Sequence, residues 1–188
     1  MINPLHPGDA LLIIDVQNDF CPGGKLPVAE GDQIIGVLNR WIKLARQANI
    51  PIIATRDWHP VGHISFKAQS GPWPEHCVQD TPGAAFHPTL ALPANAVRVS
   101  KGTRFDEDAY SAFQNTGLAM YLQRLNIRRL WVGGLALDVC VQASILDAQR
   151  LGFAVHLLKA AVRAVDPQVG EQTLDQLRQA GVLIEEEV

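Results

Sequence analysis

RRLWVGGLALDVCVQASILDAQRL, residues 128–151, contains the unit that decides the fold. Its first seven residues, RRLWVGG (128–134), form a short apolar run closed by two glycines and read as a strand. From Asp138 the pattern becomes amphipathic, predicting a helix over 138–151 that Gly152 can close. FAVHLL (153–158) follows as another strand. Strand, helix and strand in succession make a βαβ unit, and a crossover of that length joins parallel strands.

The same alternation runs through the chain. ALLIIDV (10–16), PIIATR (51–56), VRVS (97–100) and VLIEE (182–186) bring the strands to six. Most are nearly continuous in hydrophobicity, as parallel strands covered on both faces are. In 32–48, Ile34, Ile35, Leu38, Trp41, Ile42 and Ala45 recur at helical spacing, with Arg40, Lys43 and Arg46 elsewhere on the wheel. Segments 118–126 and 167–180 read similarly, and Pro167 is suited to open the last helix. The expectation is an α/β fold: a doubly wound, six-stranded parallel sheet with helices on both faces, in one domain over 1–188. The interval 57–96 is the exception. It is rich in Pro, Gly and His and lacks periodicity, and loops that long are usually functional or disordered.

Composition narrows the class. An apolar fraction of 47% suits a globular protein, and no apolar run approaches the ~20 residues of a membrane span. A net charge of −3 argues against a general nucleic-acid binder. Cys21, Cys77 and Cys140 are an odd number at wide spacings, so no disulfide framework is expected. With no signal-peptide pattern in MINPLHPGDALLIIDV, a cytoplasmic location is expected.

The polar residues fall at strand ends. Asp15 closes the first strand, Asp57 follows the second, Lys101 the third, and Cys140 lies just past the fourth. If the sheet has the common order 3-2-1-4-5-6, the chain reverses between the first and fourth strands. Asp15 and Cys140 then face each other across that crevice. At a helix N-terminus, free N–H groups favour a thiolate at Cys140 and can hold an oxyanion. A cysteine packed as a small hydrophobe fits that position equally well. Asp15 can act as general base or simply tie down a loop, a duty Asp19 could take instead. Lys101 between them would stabilise both anions, although most lysines are solvated.

TRDWHPVGH (55–63) adds a second chemistry. In an extended segment residues i and i+2 point the same way, so Asp57 and His59 can grip one ion. The third ligand is His63 or His76, a set that suits zinc, iron or manganese. Phe20 and Trp73 flank these residues and can sandwich a flat ring or serve as ordinary core aromatics. His87 and His156 read as structural, His6 as a surface residue, and Cys21 and Cys77 as packing.

LLIIDVQNDFCPGGKLPV, TRDWHPVGHISF, GPWPEHCVQDTPGAAFHP, VSKGT and GGLALDVCVQAS together resemble the isochorismatase-like cysteine hydrolases, and within them the nicotinamidase/pyrazinamidase group. The resemblance implies the order 3-2-1-4-5-6 and a triad of nucleophile Cys140, base Asp15 and Lys101. It implies one divalent metal, zinc ahead of iron or manganese, on Asp57, His59 and His76. His63 ranks behind them because its spacing varies in the family. Phe20 and Trp73 would line the ring pocket. A cis bond between Leu135 and Ala136 would let the Ala136 and Cys140 N–H groups form an oxyanion hole. The implied activity is hydrolysis of nicotinamide to nicotinic acid and ammonia in NAD salvage, and of pyrazinamide to pyrazinoic acid, through a thioester. The partner is a small molecule, with homo-oligomers left open. Leu137 and Val139 depart from the residues many relatives carry there, which bears on pocket preference and not on the triad. The rivals are an amidase for carbamoyl or ureido substrates, a metal-hydroxide hydrolase with a merely buried Cys140, and a flavodoxin-like binding module. The last lacks a Gly-rich phosphate loop after the first strand.

Overall fold

The computed structural model describes residues 4–186, so the two ends of the expected 1–188 domain lie outside the described residues. The strands β1 (Asp9–Ile14), β2 (Ile52–Asp57), β3 (Val97–Lys101), β4 (Arg129–Leu135), β5 (Ala154–Arg163) and β6 (Leu183–Glu185) form one sheet. Their order is β3-β2-β1-β4-β5-β6, and every neighbouring pair is parallel, as expected. β1 is buried along its whole length because alternate residues face opposite layers. Leu11 and Ile13 join the layer of α1 (Ile34–Gln47), which buries Ile34, Leu38, Trp41 and Ile42. Leu12 and Ile14 join the opposite layer, with α2 (Leu118–Arg124), α3 (Gln142–Arg150) and α4 (Pro167–Gln179). The Asp166 carboxylate caps α4 by accepting from Gln168 N and Val169 N, with Pro167 in the first turn.

Two elements differ from the expected ones. The helix expected from Asp138 begins as a turn of π-helix, Leu137–Val141, before α3 starts at Gln142. β5 continues five residues beyond Leu158, because it bulges over Leu158–Ala161 opposite Gly133 and then rejoins β4 at Val162. The long interval after β2 is held by the core: Cys77, Ala84, Leu90 and Ala96 pack into the α1 layer. Among the described residues, no helix is long and apolar enough to cross a membrane.

At the amino edge of the sheet, Asp9 locks β1 to β4. Arg129 donates to it twice, at 2.7 and 2.8 Å, while Trp131 Nε1 and His6 N also donate. Burial pushes the Asp9 carboxyl up, but these donors outweigh it and hold the group below its usual range. The stabilisation is therefore complete above the unfolded carboxyl value and is lost as pH falls through the lower folded one. Asp9→Asn should cost ~1–3 kcal/mol in urea unfolding at neutral pH and flatten the acid-side loss. Unchanged unfolding curves would show the clamp to be inert.

Candidate active site

The carboxyl edge of the sheet gathers the reactive groups. β1 ends at Ile14 and the chain turns at Asp15, whose φ is +48° and whose carboxylate meets Thr55 of β2 and Lys101 of β3. The crevice between β1 and β4 is narrow at its base: a Cβ on Gly134, at φ +134°, would sit 2.0 Å from Ile14 O. Asp57 and Lys101 end β2 and β3 and lie side by side in register. Cys140 comes from the π-helical turn after β4, a local widening that recurs at functional sites.

Lys101 is the hub. Its Nζ lies 2.9 Å from Asp15 Oδ2, 2.5 Å from Asp57 Oδ1, 3.5 Å from Cys140 Sγ and 3.2 Å from the Ala109 carbonyl. Thr55 Oγ1 donates to Asp15 Oδ1 at 2.6 Å. Asp15 Oδ2 is paired with the Lys101 ammonium, and a carboxylate oxygen has a second lone pair with which to take a proton. Burial alone would discharge Lys101, but Asp15 and Asp57 overcome it and hold the ammonium well above its ordinary value. Burial also raises Asp15, against the pull of Lys101, and raises the Cys140 thiol further. Burial and the carboxylates of Asp15 and Asp57 thus push the thiol up, against the pull of Lys101 and opposite to the direction expected from a helix terminus.

Beside the hub, Asp57, His59 and His76 bring one ligand atom each within 4.8 Å of one another. His59 Nε2 and His76 Nε2 lie 3.6 and 3.8 Å from Asp57 Oδ2. His59 Nδ1 lies 2.9 Å from the Gly102 carbonyl and His76 Nδ1 2.7 Å from that of Pro74. A carbonyl only accepts, so each Nδ1 carries the proton and each Nε2 keeps its lone pair turned to the carboxylate. Burial opposes charge on His59, yet Asp57 raises its proton affinity, so this corner attracts positive charge. Two outward lone pairs and a carboxylate fit a divalent cation of borderline softness. Gly102 is required here, since a Cβ would meet His59 Cε1 at 2.4 Å.

His63 is placed differently. It stacks on His59 at 4.2 Å, with Nδ1 2.7 Å from Ser65 Oγ and Nε2 3.1 Å from the Glu107 carbonyl. Burial and neighbouring His59 favour its neutral form. It falls in a second group, with His59 and Asp108, and not with Asp57 and His76.

Cys140 and the His–Asp corner open into one narrow slot, with a cavity volume of about 40 Å³. Phe20 and Trp73 line it, as does Ala136, whereas Leu135 is fully buried and does not. Phe20 lies against His76, and Trp73 Nε1 donates to Tyr110 Oη at 3.0 Å, joining two loops at the wall. An isochorismatase domain model matches residues 9–186 of this sequence. The chain belongs to the isochorismatase family. It is 38% identical to the nicotinamidase of Escherichia coli (strain K12), over 95% of this chain and 94% of that protein. The pyrazinamidase of Pyrococcus horikoshii in complex with zinc superposes with a TM-score of 0.93 at 46% identity, covering 95% of this chain and 99% of that one. PnC1 from L. infantum in complex with nicotinate gives 0.86 at 38% identity, covering 94% and 91%.

Within this isochorismatase-family site, the Leu135–Ala136 peptide is cis. Sequence reasoning missed several groups. Asp108 and Tyr110 also line the slot, from the segment after Lys101, where neither periodicity nor motif marks them. Gln17, two residues after Asp15, is fully buried and hydrogen-bonded to Asp57, although a glutamine after a strand carries no such signal.

Proposed function

We propose that this chain is a metal-dependent nicotinamidase that hydrolyses nicotinamide to nicotinic acid and ammonia, and pyrazinamide to pyrazinoic acid. The activity resides in one isochorismatase-like domain spanning 1–188 and serves cytoplasmic NAD salvage. One observation carries the reading: buried Lys101 touches Asp15, Cys140 and Asp57 at once, joining a nucleophile and base to the His–Asp corner. The likeness to nicotinamidases and to a zinc-bound pyrazinamidase supports the choice of substrate and ion.

Asp15 removes the Cys140 proton as Sγ bonds to the carboxamide carbon. The N–H groups of Ala136 and Cys140 receive the oxyanion. The C–N bond breaks, Asp15 passes its proton to the departing amine, and ammonia leaves a thioester behind. Water then loses a proton to Asp15 and attacks the thioester. The C–S bond breaks, nicotinic acid departs and Sγ regains the proton. A base with raised proton affinity suits a thiol that is itself hard to ionise, since the transfer is then more nearly matched. Lys101 holds its charge throughout and offsets whichever anion is present. Phe20 and Trp73 hold the ring flat, an orientation effect that can lower the barrier by ~7 kcal/mol or more in favourable cases. Asp57, His59 and His76 would hold a divalent ion, which would supply Lewis-acid chemistry toward the ring nitrogen of the substrate.

Ammonia release from nicotinamide, followed against pH, tests the reading. Turnover requires ionised Asp15, so kcat/KM should rise with pH and be lost as pH falls through the acid-side titration of the coupled Asp15–Cys140 pair. Because burial raises Asp15, that limb should lie above the ~3.9 of a free aspartate. No ammonia from either amide with metal-loaded protein would sink the assignment.

A further inference from the structure

We infer that Gln17 is a positioning residue whose side-chain amide replaces a missing strand and so sets the aim of Asp57. The inference rests on the reading of Asp57 as a metal ligand. β1 pairs with β2 only as far as Asp15 N, which donates to Thr55 O at 3.2 Å. The chain then turns away at Asp15, opening the crevice, while β2 runs on to Asp57. On its other side β2 is still paired, with Trp58 N donating to Lys101 O at 3.0 Å. The N–H and C=O of Asp57 therefore face the gap left by β1.

Gln17 fills that gap. Its Oε1 accepts from Asp57 N at 2.8 Å, and its Nε2 donates to Asp57 O at 2.7 Å and to Ala84 O at 2.9 Å. A carboxamide has the donor and acceptor of a peptide group, so these bonds reproduce those of a strand neighbour while the backbone is elsewhere. The amide orientation is unambiguous, because a flip would set its oxygen against two carbonyls. Gln17 is fully buried, and the Ala84 bond anchors the arrangement to the loop that brings His76. Both carboxylate oxygens of Asp57 are committed, Oδ1 to Lys101 and Oδ2 to the histidines. A small rotation of its backbone would misdirect both. The fold opens the crevice by ending β1 early, and Gln17 keeps that opening from loosening the strand beside it.

The test is Gln17→Met, which keeps the length and removes all three bonds, with Asp9→Asn as a control for stability lost at the far edge of the sheet. Cobalt(II) and zinc affinity are measured by chelator competition, and the cobalt protein is examined by visible absorption. Gln17→Met should weaken both affinities by roughly 10–100-fold and alter the cobalt spectrum, as loss of a group orienting a ligand does. Asp9→Asn should leave both at wild type. Should Gln17→Met not fold, Gln17→Glu is read instead: it keeps the bond from Asp57 N but sets an oxygen against both carbonyls, and the same loss is expected. Wild-type affinity and spectrum in the folded variant would overturn the inference and reduce Gln17 to a structural tie. If the wild-type protein itself binds neither metal, the ligand reading of Asp57 fails and this inference falls with it.

Discussion

Cys140→Ala should lower the turnover of nicotinamide by ~10⁴-fold or more while the metal content of the purified protein stays at the wild-type level. Sγ is the atom that bonds to the substrate carbon in the proposed mechanism, and alanine leaves nothing to attack with. Lys101 would still have Asp15 and Asp57 as counter-charges, so the buried ammonium stays compensated. The cluster of Asp57, His59 and His76 does not include the sulfur, and its two histidines are oriented by Gly102 and Pro74. Ammonia release and metal analysis on the same preparation check this. Turnover within ten-fold of wild type would transfer the role of nucleophile to metal-bound water. Loss of the metal together with activity would mean that the two halves of the site are not separable at the sulfur.

Asp57→Asn should do more damage than the loss of either histidine. Asparagine removes the anion that draws a cation to Nε2 of His59 and His76, and it also takes one of two counter-charges from Lys101. His76→Ala takes away one proposed metal ligand but leaves Asp15, Lys101 and Cys140 as they are. At saturating zinc, His76→Ala should therefore regain a substantial part of its activity, whereas Asp57→Asn should remain depressed by ~10³-fold or more, a loss of about 4 kcal/mol in transition-state stabilisation. Zinc titrations of kcat/KM on both variants measure the difference. Equal rescue would show that Lys101 does not need Asp57.

The reach of the sequence follows from which physical signals are local. β1 and β4 are legible because strands buried on both faces need continuous apolar runs, and LLII and RLWV supply them. Asp15, Asp57, Lys101 and Cys140 are legible as a group because strand ends in a parallel sheet share one edge. The π-helical turn is not, since one extra residue in a helical turn leaves the composition of LDVCV unchanged. β5 stops short in the sequence because Lys159 interrupts its apolar run, and the bulge that accommodates it depends on Gly133 of another strand. His63 shows the limit most clearly. Its spacing qualifies it as a ligand but cannot show which neighbours its ring meets, here Ser65 and the Glu107 carbonyl, the latter 44 positions away in the chain. The same holds for the thiol of Cys140, whose position suggests an acidic group while its surroundings make it a weak acid.

The shared slot bears on which forms of the vitamin the proposed mechanism admits. His59 and His76 line the same recess as Cys140, so in the proposed mechanism a ring whose carboxamide meets the sulfur offers its heteroatom to the histidine corner. Free nicotinamide can do so. In NAD, nicotinamide mononucleotide and nicotinamide riboside that nitrogen carries a ribose, which removes the lone pair and adds bulk at that position. On that reading, the enzyme would pass over abundant intact dinucleotide and draw only on the vitamin already released from it.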